Sequence, residues 1–210
     1  MNRFILRIEK EIISVCKYLA EKEYIVGTDG NVSVRVDDTK MVITPKAKSK
    51  LNLKPDDLVI IDFEGKKIKG FNEPSGEWRV HSMIYRFRQD VNAVIHTHPT
   101  YSTVSSVAGV RFDKVVLPEI IVSVGNIAVV EYGTLYTEDL AKKVQKYVQD
   151  NNAFILKNHG LVTVGEDIKT ALYRTEKVEH LSKVIIIAKL LGSIDYLTDS
   201  QVEEISKLVK

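Results

Sequence analysis

Three histidines carry most of the chemistry this chain offers. His96-Thr97-His98 closes one apolar stretch, and His159 stands in Lys157-Asn158-His159-Gly160 directly after another. Side chains two apart on a strand share a face, with α-carbons roughly 6.5 Å apart. Imidazoles at that separation can meet on one ion through Zn–N bonds of about 2.0–2.1 Å. The pair alone reads equally well as an exposed strand end, and a lone histidine in such a place is more often structural than a ligand. Three such positions together supply the neutral nitrogens of an open catalytic zinc site, whose fourth position takes substrate or water. The single cysteine, Cys16, rules out an internal disulfide or a Cys-rich zinc module, so imidazole and carboxylate must do any metal binding.

Glu77 is the candidate carboxylate. It falls three and seven residues before the apolar Val80 and Ile84, in the first turn of a predicted helix, and so should point at the core. An acid there is either tolerated by the positive end of the helix or placed for function, and near a metal it would make a general base. His81, four residues later on the same face, reads as a packed histidine more readily than as a partner of Glu77. His180, inside a long helix, reads as structural or intersubunit. The Gly27-Thr28-Asp29-Gly30-Asn31 loop is either a plain turn or a place where backbone N–H groups face a ligand. Lys46, Lys48 and Lys50 form a basic run, solvated in the usual case, with one member available to an anionic substrate.

The elements that must position these residues follow from periodicity. Arg3 to Glu23 carries a helical stripe at Ile5, Ile8, Ile12, Val15 and Leu19. Val32–Val36 alternates like a half-buried strand, Met41–Thr44 follows a turn, and Leu58–Asp62 with Lys66–Lys69 reads as a hairpin about Glu64-Gly65. Ser75 is placed as N-cap of a helix from Gly76 to Gln89, with Val80, Met83, Ile84 and Phe87 buried. Strands are expected over Asn92–His98, Ile127–Tyr132, Ala153–Lys157 and Leu161–Val164, and helices over Glu138–Gln149, Ile168–Leu191 and Asp199 to the C-terminus. Early strands in hairpins and later strands separated by long helices predict a layered α/β (α+β) fold with a largely antiparallel central sheet.

Composition sets the frame. The chain has 210 residues, 30 Lys plus Arg against 28 Asp plus Glu, and 44% hydrophobic residues. That balance gives no reason to expect nucleic acid or a membrane as the main partner. No repeat or linker divides the chain, so one domain over residues 1–210 is expected. The N-terminus lacks the apolar block of a signal peptide and nothing approaches a membrane span, which makes the cytoplasm the expected location.

Taken in order, Gly30-Asn31-Val32-Ser33, Thr44-Pro45, Pro74-Ser75-Gly76-Glu77, His96-Thr97-His98-Pro99, Leu117-Pro118-Glu119 and Lys157-Asn158-His159-Gly160 resemble the class II aldolase/adducin family, from about Tyr18 to Leu191. The resemblance implies one zinc ion per subunit held by His96, His98 and His159. It makes Glu77 the catalytic acid/base, and also a zinc ligand when substrate is absent. It implies a central antiparallel sheet flanked by helices and a cyclic homotetramer with sites between subunits. The implied reaction is cleavage of a phosphorylated ketose, such as L-fuculose 1-phosphate, to dihydroxyacetone phosphate and an aldehyde. Zinc would act as Lewis acid on the developing enediolate while Glu77 moves the proton.

Family aldolases cradle phosphate with Gly-Asn, Thr-Gly and Ser-Ser pairs. This chain has Gly30-Asn31, Lys46-Ala47 and Ser75-Gly76 in those places, with Asp29 alongside. The family's proton-donor tyrosine has no match, since the equivalent stretch reads Val116-Leu117-Pro118. Within the family, a methylthioribulose-1-phosphate dehydratase or a sugar-phosphate epimerase would use the same ligands. A non-catalytic adducin-like interaction domain would have lost them. His96-Thr97-His98-Pro99 also opens a JAMM-type zinc-peptidase signature, but Gly109 stands where that signature needs an aspartate.

Overall fold

A computed structural model describes residues 3–208 of the protein. Eight strands form one sheet: β1 (Asn31–Asp37), β2 (Lys40–Ile43), β3 (Val59–Asp62), β4 (Lys67–Lys69), β5 (Ala93–Thr97), β6 (Asn126–Val130), β7 (Asn151–Leu156) and β8 (Gly160–Gly165). Their order is β4-β3-β2-β1-β5-β8-β7-β6. Every pairing is antiparallel except β6 with β7, whose connection runs through the helix α5 (Glu138–Gln145), the crossover that a parallel pair requires.

The sheet is covered on both faces, as the alternation of its apolar residues demands. On one side Val94, Phe154 and Val162 pack against α2 (Trp78–Phe87) and α5. On the other, Ala93, Ile95 and Val34 meet α1 (Arg3–Glu21), while Ile155 and Leu161 meet α6 (Ile168–Leu191). The remaining helices are α3 (Thr100–Val107), α4 (Pro118–Ser123) and α7 (Asp199–Lys207). This is the mixed α/β architecture expected, a mainly antiparallel central sheet flanked by helices. Among the described residues no helix is long and apolar enough to cross a membrane.

Two expectations are corrected and two helices are added. Ser75 is not the cap of α2: Pro74 forms a bridge to Pro45 and the Ser75 N–H donates to the Thr44 carbonyl, so the chain stays extended there. The helix starts at Trp78 with Glu77 as N-cap and ends at Phe87, which is exposed rather than part of the core stripe. Helix α3 is absent from the sequence expectation because its N-terminus is capped from a distance. The Glu179 carboxylate on α6 accepts from the N–H groups of Tyr101 and Ser102. Helix α4, six residues begun by Pro118, is too short for a period to show. The predicted run of the last helix into residues 209–210, like the reading of the first two residues, lies outside the described residues.

Candidate metal centre and substrate cleft

The three histidines come from strand ends that the sheet places side by side. His96 is on β5, opposite Val162 of β8, and its side chain falls on the same face as that of His98, just past the end of β5. His159 occupies the three-residue turn, Lys157 to His159, between β7 and β8. Asn158 turns that corner at φ 57°, a left-handed conformation that asparagine tolerates better than most residues. Gly160 serves this site through its size rather than through a left-handed backbone. A Cβ there would sit 2.5 Å from His98 Cδ2 and from the Thr97 carbonyl, so the absent side chain makes room for the imidazole.

The side chains converge. His96 Nε2 lies 3.0 Å from His98 Nε2 and 3.1 Å from His159 Nε2, and all three ligand atoms fall within 4.8 Å of one another. His96 donates its Nδ1–H to the Leu161 carbonyl at 3.0 Å, which fixes the tautomer and leaves the Nε2 lone pair pointing inward. Burial holds the pKa of His96 well below that of an ordinary histidine, and desolvation followed by repulsion from His96 lowers His159 to about 3. His98 is lowered by burial as well, with Asp29 Oδ2 opposing from 3.7 Å.

Glu77 completes the arrangement from the N-cap of α2. Its Oε2 lies 3.2 Å from His96 Nε2 and its Oε1 3.5 Å from His159 Nε2. These are not ion pairs, because the imidazoles are neutral. Three nitrogen lone pairs and a carboxylate therefore face one another, with Glu77 Oε1 buried and unpartnered. Acceptors do not gather in this way without a positive charge between them, and a divalent cation fits the donor set. Residues His96, His98 and His159 would hold it, with Glu77 at its side.

In front of this centre is a cleft of about 240 Å³. Its lining contains Gly30, Asn31, Lys46, Ala47, Ser75 and Gly76, the residues expected to meet substrate, together with Asp29, Glu77, His98 and His159. Asn31, however, spends its amide on Glu77, donating from Nδ2 to Oε2 at 2.7 Å. The basic run divides three ways: Lys46 is exposed at the cleft, Lys48 pairs with Asp57, and Lys50 is buried with Nζ donating to the Thr28 and Lys48 carbonyls at 2.8 Å. His81 is fully buried, as its packed reading implied, whereas His180 is exposed.

Sequence reasoning missed Leu135 and Tyr136, which also line the cleft. Tyr136 has φ 64° and its ring covers Gly76, where a Cβ would lie 2.4 Å from the ring. Lys46 Nζ stands 5.8 Å from the centre of the same ring. No local pattern marks a tyrosine in a left-handed turn. Four non-glycine residues have positive φ among the described residues, and three of them adjoin this site. Ala47 and Tyr136 line the cleft, Asn158 precedes His159, and Glu23 precedes Tyr24, whose carbonyl accepts the His98 N–H at 2.9 Å. Backbone strain of this kind collects where a scaffold holds functional groups.

Comparison with known proteins agrees with this geometry. The family model of the class II aldolase and adducin N-terminal domain matches residues 10–186. An L-fuculose phosphate aldolase of Methanococcus maripaludis is 38% identical over 174 residues, 83% of this chain and 93% of that protein. A 3-oxo-tetronate 4-phosphate decarboxylase of Haemophilus influenzae is 30% identical over 94% of this chain and 95% of its own length. The solved structure of an L-fuculose 1-phosphate aldolase superimposes with a TM-score of 0.89 at 31% identity, covering 96% of this chain and 95% of that one. With the family match spanning most of the chain and the fold and histidine cluster in agreement, the protein belongs to the class II aldolase and adducin family.

Proposed function

We propose that this protein is a zinc-dependent lyase that cleaves a phosphorylated ketose to dihydroxyacetone phosphate and an aldehyde, as an L-fuculose 1-phosphate aldolase does. The observation that carries the reading is the meeting of three neutral imidazoles with the Glu77 carboxylate, 3.2 Å from His96, at the floor of a cleft that also holds Lys46. A divalent cation held by His96, His98 and His159 would supply Lewis-acid stabilisation of charge developing beside a carbonyl. The rest falls to the chain. Glu77 takes the proton from the three-carbon ketone in the condensation direction and returns it after cleavage. Buried walls around Glu77 and His96 keep bulk water from that exchange. Lys46, at the open side, takes the phosphoryl group by a charge-assisted contact.

The assay is a screen of phosphorylated ketoses with metal-loaded protein, following dihydroxyacetone phosphate and aldehyde release. Release of both from one ketose supports the reading. Carbon dioxide from a phosphorylated 3-oxo acid would put the chain with its decarboxylase relative, and water elimination with a dehydratase. Metal analysis of protein purified without added zinc tests the other half, since a preparation free of divalent metal rejects the zinc assignment.

A further inference from the structure

A column of buried polar side chains runs from Glu77 into the protein along one face of the sheet. β1 turns Asn31, Ser33 and Arg35 to that face, and α2 places His81 and Tyr85 one turn apart opposite them, with Glu77 at its cap. Tyr85 Oη lies 2.7 Å from Ser33 Oγ, and Ser33 Oγ 2.6 Å from His81 Nδ1. His81 Nε2 lies 2.5 Å from Asn31 Oδ1, and Asn31 Nδ2 lies 2.7 Å from Glu77 Oε2. Arg35 clamps the far end, its guanidinium 4.9 Å from the centre of the Tyr85 ring and its Nη2 donating to the Tyr85 carbonyl at 2.6 Å.

The chemistry of the groups gives each bond a direction. A carboxylate accepts only, so Asn31 turns its amide N–H to Glu77 and its carbonyl to His81. A carbonyl also accepts only, so His81 donates from Nε2. Burial without a counter-charge drives the His81 pKa down to about 3, so the ring is neutral and Nδ1 carries a lone pair. Ser33 donates to that lone pair, and Tyr85 donates to Ser33. From Tyr85 through Ser33 and His81 to Asn31, each donor points toward Glu77. The two ends of an asparagine amide have nearly the same shape, so packing does not choose between its two orientations. The rotated amide would set a carbonyl against the Glu77 carboxylate and an N–H against the His81 Nε2–H.

We propose that His81 is a positioning residue for the reaction: its Nε2–H selects the one orientation of the Asn31 amide that hydrogen-bonds Glu77, and so keeps that carboxylate turned toward His96 and His159. The proposal rests on the reading of Glu77 as the acid/base. It assigns to a buried histidine a role beyond packing, exercised through Asn31 and without contact to substrate or metal.

The test compares His81→Gln, which keeps a donor and an acceptor, with His81→Met, which fills similar volume without a donor. Both are measured as metal-loaded full-length enzyme, by steady-state kinetics and by hydrogen exchange of the Asn31 side-chain amide in NMR. His81→Met is expected to lower kcat roughly 10- to 100-fold with KM and metal content unchanged, as a misaimed catalytic group does. The Asn31 amide protons should exchange faster in that variant, and His81→Gln should restore most of both properties. Equal impairment in the two variants, or wild-type kcat and wild-type Asn31 protection in His81→Met, overturns the proposal. Ser33→Ala leaves the ring in place, frees its tautomer and takes the hydrogen-bond partner from the Tyr85 hydroxyl. An intermediate loss is expected there, so the question stays answerable if His81→Met does not fold. Should the wild-type enzyme turn over no phosphorylated ketose, the functional reading fails on its own, and Asn31 exchange still decides the role of His81.

Discussion

The two sides of the cleft are built differently. On the inner side, His96 and Glu77 are buried, held on a strand and a helix cap, and braced by a column of hydrogen bonds reaching to Tyr85. On the outer side, Lys46 and Tyr136 stand exposed on turns, and Ala47 and Tyr136 adopt left-handed backbones. Rigid elements hold the groups that must keep their geometry through a reaction, and loops hold those that choose what enters. The relatives fit this division, since an aldolase and a decarboxylase are both similar to this chain over most of their length while named for different phosphorylated compounds.

The comparison predicts its largest effect on the inner side. His96→Ala removes the central member of the histidine cluster and should abolish tight metal binding. Turnover should fall by about 10³-fold or more, corresponding to the several kcal/mol a Lewis acid supplies. Elemental analysis against wild type checks it, and full metal occupancy in the variant would break the assignment. Glu77→Gln comes next: kcat should fall by roughly 10²- to 10⁴-fold, the usual worth of a positioned acid/base. Metal content should stay close to wild type. Single-turnover measurements at saturating substrate read this directly, and near-normal rates would remove Glu77 from the mechanism.

The same division explains what the sequence disclosed. His96, His98 and His159 were legible because strand alternation is a local rule, and a histidine at i and i+2 lands on one face whatever surrounds it. The sheet and most helices followed from periodicity for the same reason. Ser75 misled because capping preference is local, while the Pro45–Pro74 bridge that keeps this segment extended joins distant residues. Helix α3 was illegible because its cap, Glu179, lies 77 residues beyond Ser102. The two roles of Asn31, lining the cleft and holding Glu77, separate only once β1 and α2 face each other. Tyr136 gave no signal at all, since tyrosine is not a residue type that marks a left-handed turn and its contact with Gly76 joins distant parts of the chain.

Acid should expose the cost of the inner column. The folded-state pKa of His81 lies near 3, against 6.5 for an ordinary histidine. Between those values the unfolded chain binds a proton that the folded chain refuses, so stability falls as pH drops through that window and is fully present above it. The contribution approaches about 1.4 kcal/mol per pH unit for one such group. Denaturant titrations from pH 7 to 4 should show a shallower slope for His81→Gln than for wild type, and identical slopes would contradict a neutral buried imidazole. On the outer side the effects are smaller. Lys46→Ala should raise KM for a phosphorylated ketose about 10-fold with kcat unchanged, and should weaken the dependence of KM on salt, as loss of one exposed charge contact does. A change in kcat instead would place Lys46 on the inner side.

The smallest effect sharpens the boundary between the two sides. A left-handed tyrosine costs about 1–2 kcal/mol relative to an unstrained backbone, and glycine regains it while giving up roughly 0.5–1 kcal/mol in chain entropy. Because Tyr136 is 57% exposed, little burial is lost with its side chain. Tyr136→Gly should therefore leave stability within about 1 kcal/mol of wild type. Gly76→Ala should be destabilising by itself, because its new methyl meets the ring at 2.4 Å, and close to neutral in the Tyr136→Gly background. The coupling in a double-mutant cycle, on the order of 1 kcal/mol, measures the contact between ring and glycine. A full additive penalty in the double variant would mean that Gly76 is required by the backbone beside Glu77 rather than by the ring, moving that glycine from the variable wall of the cleft to its fixed one.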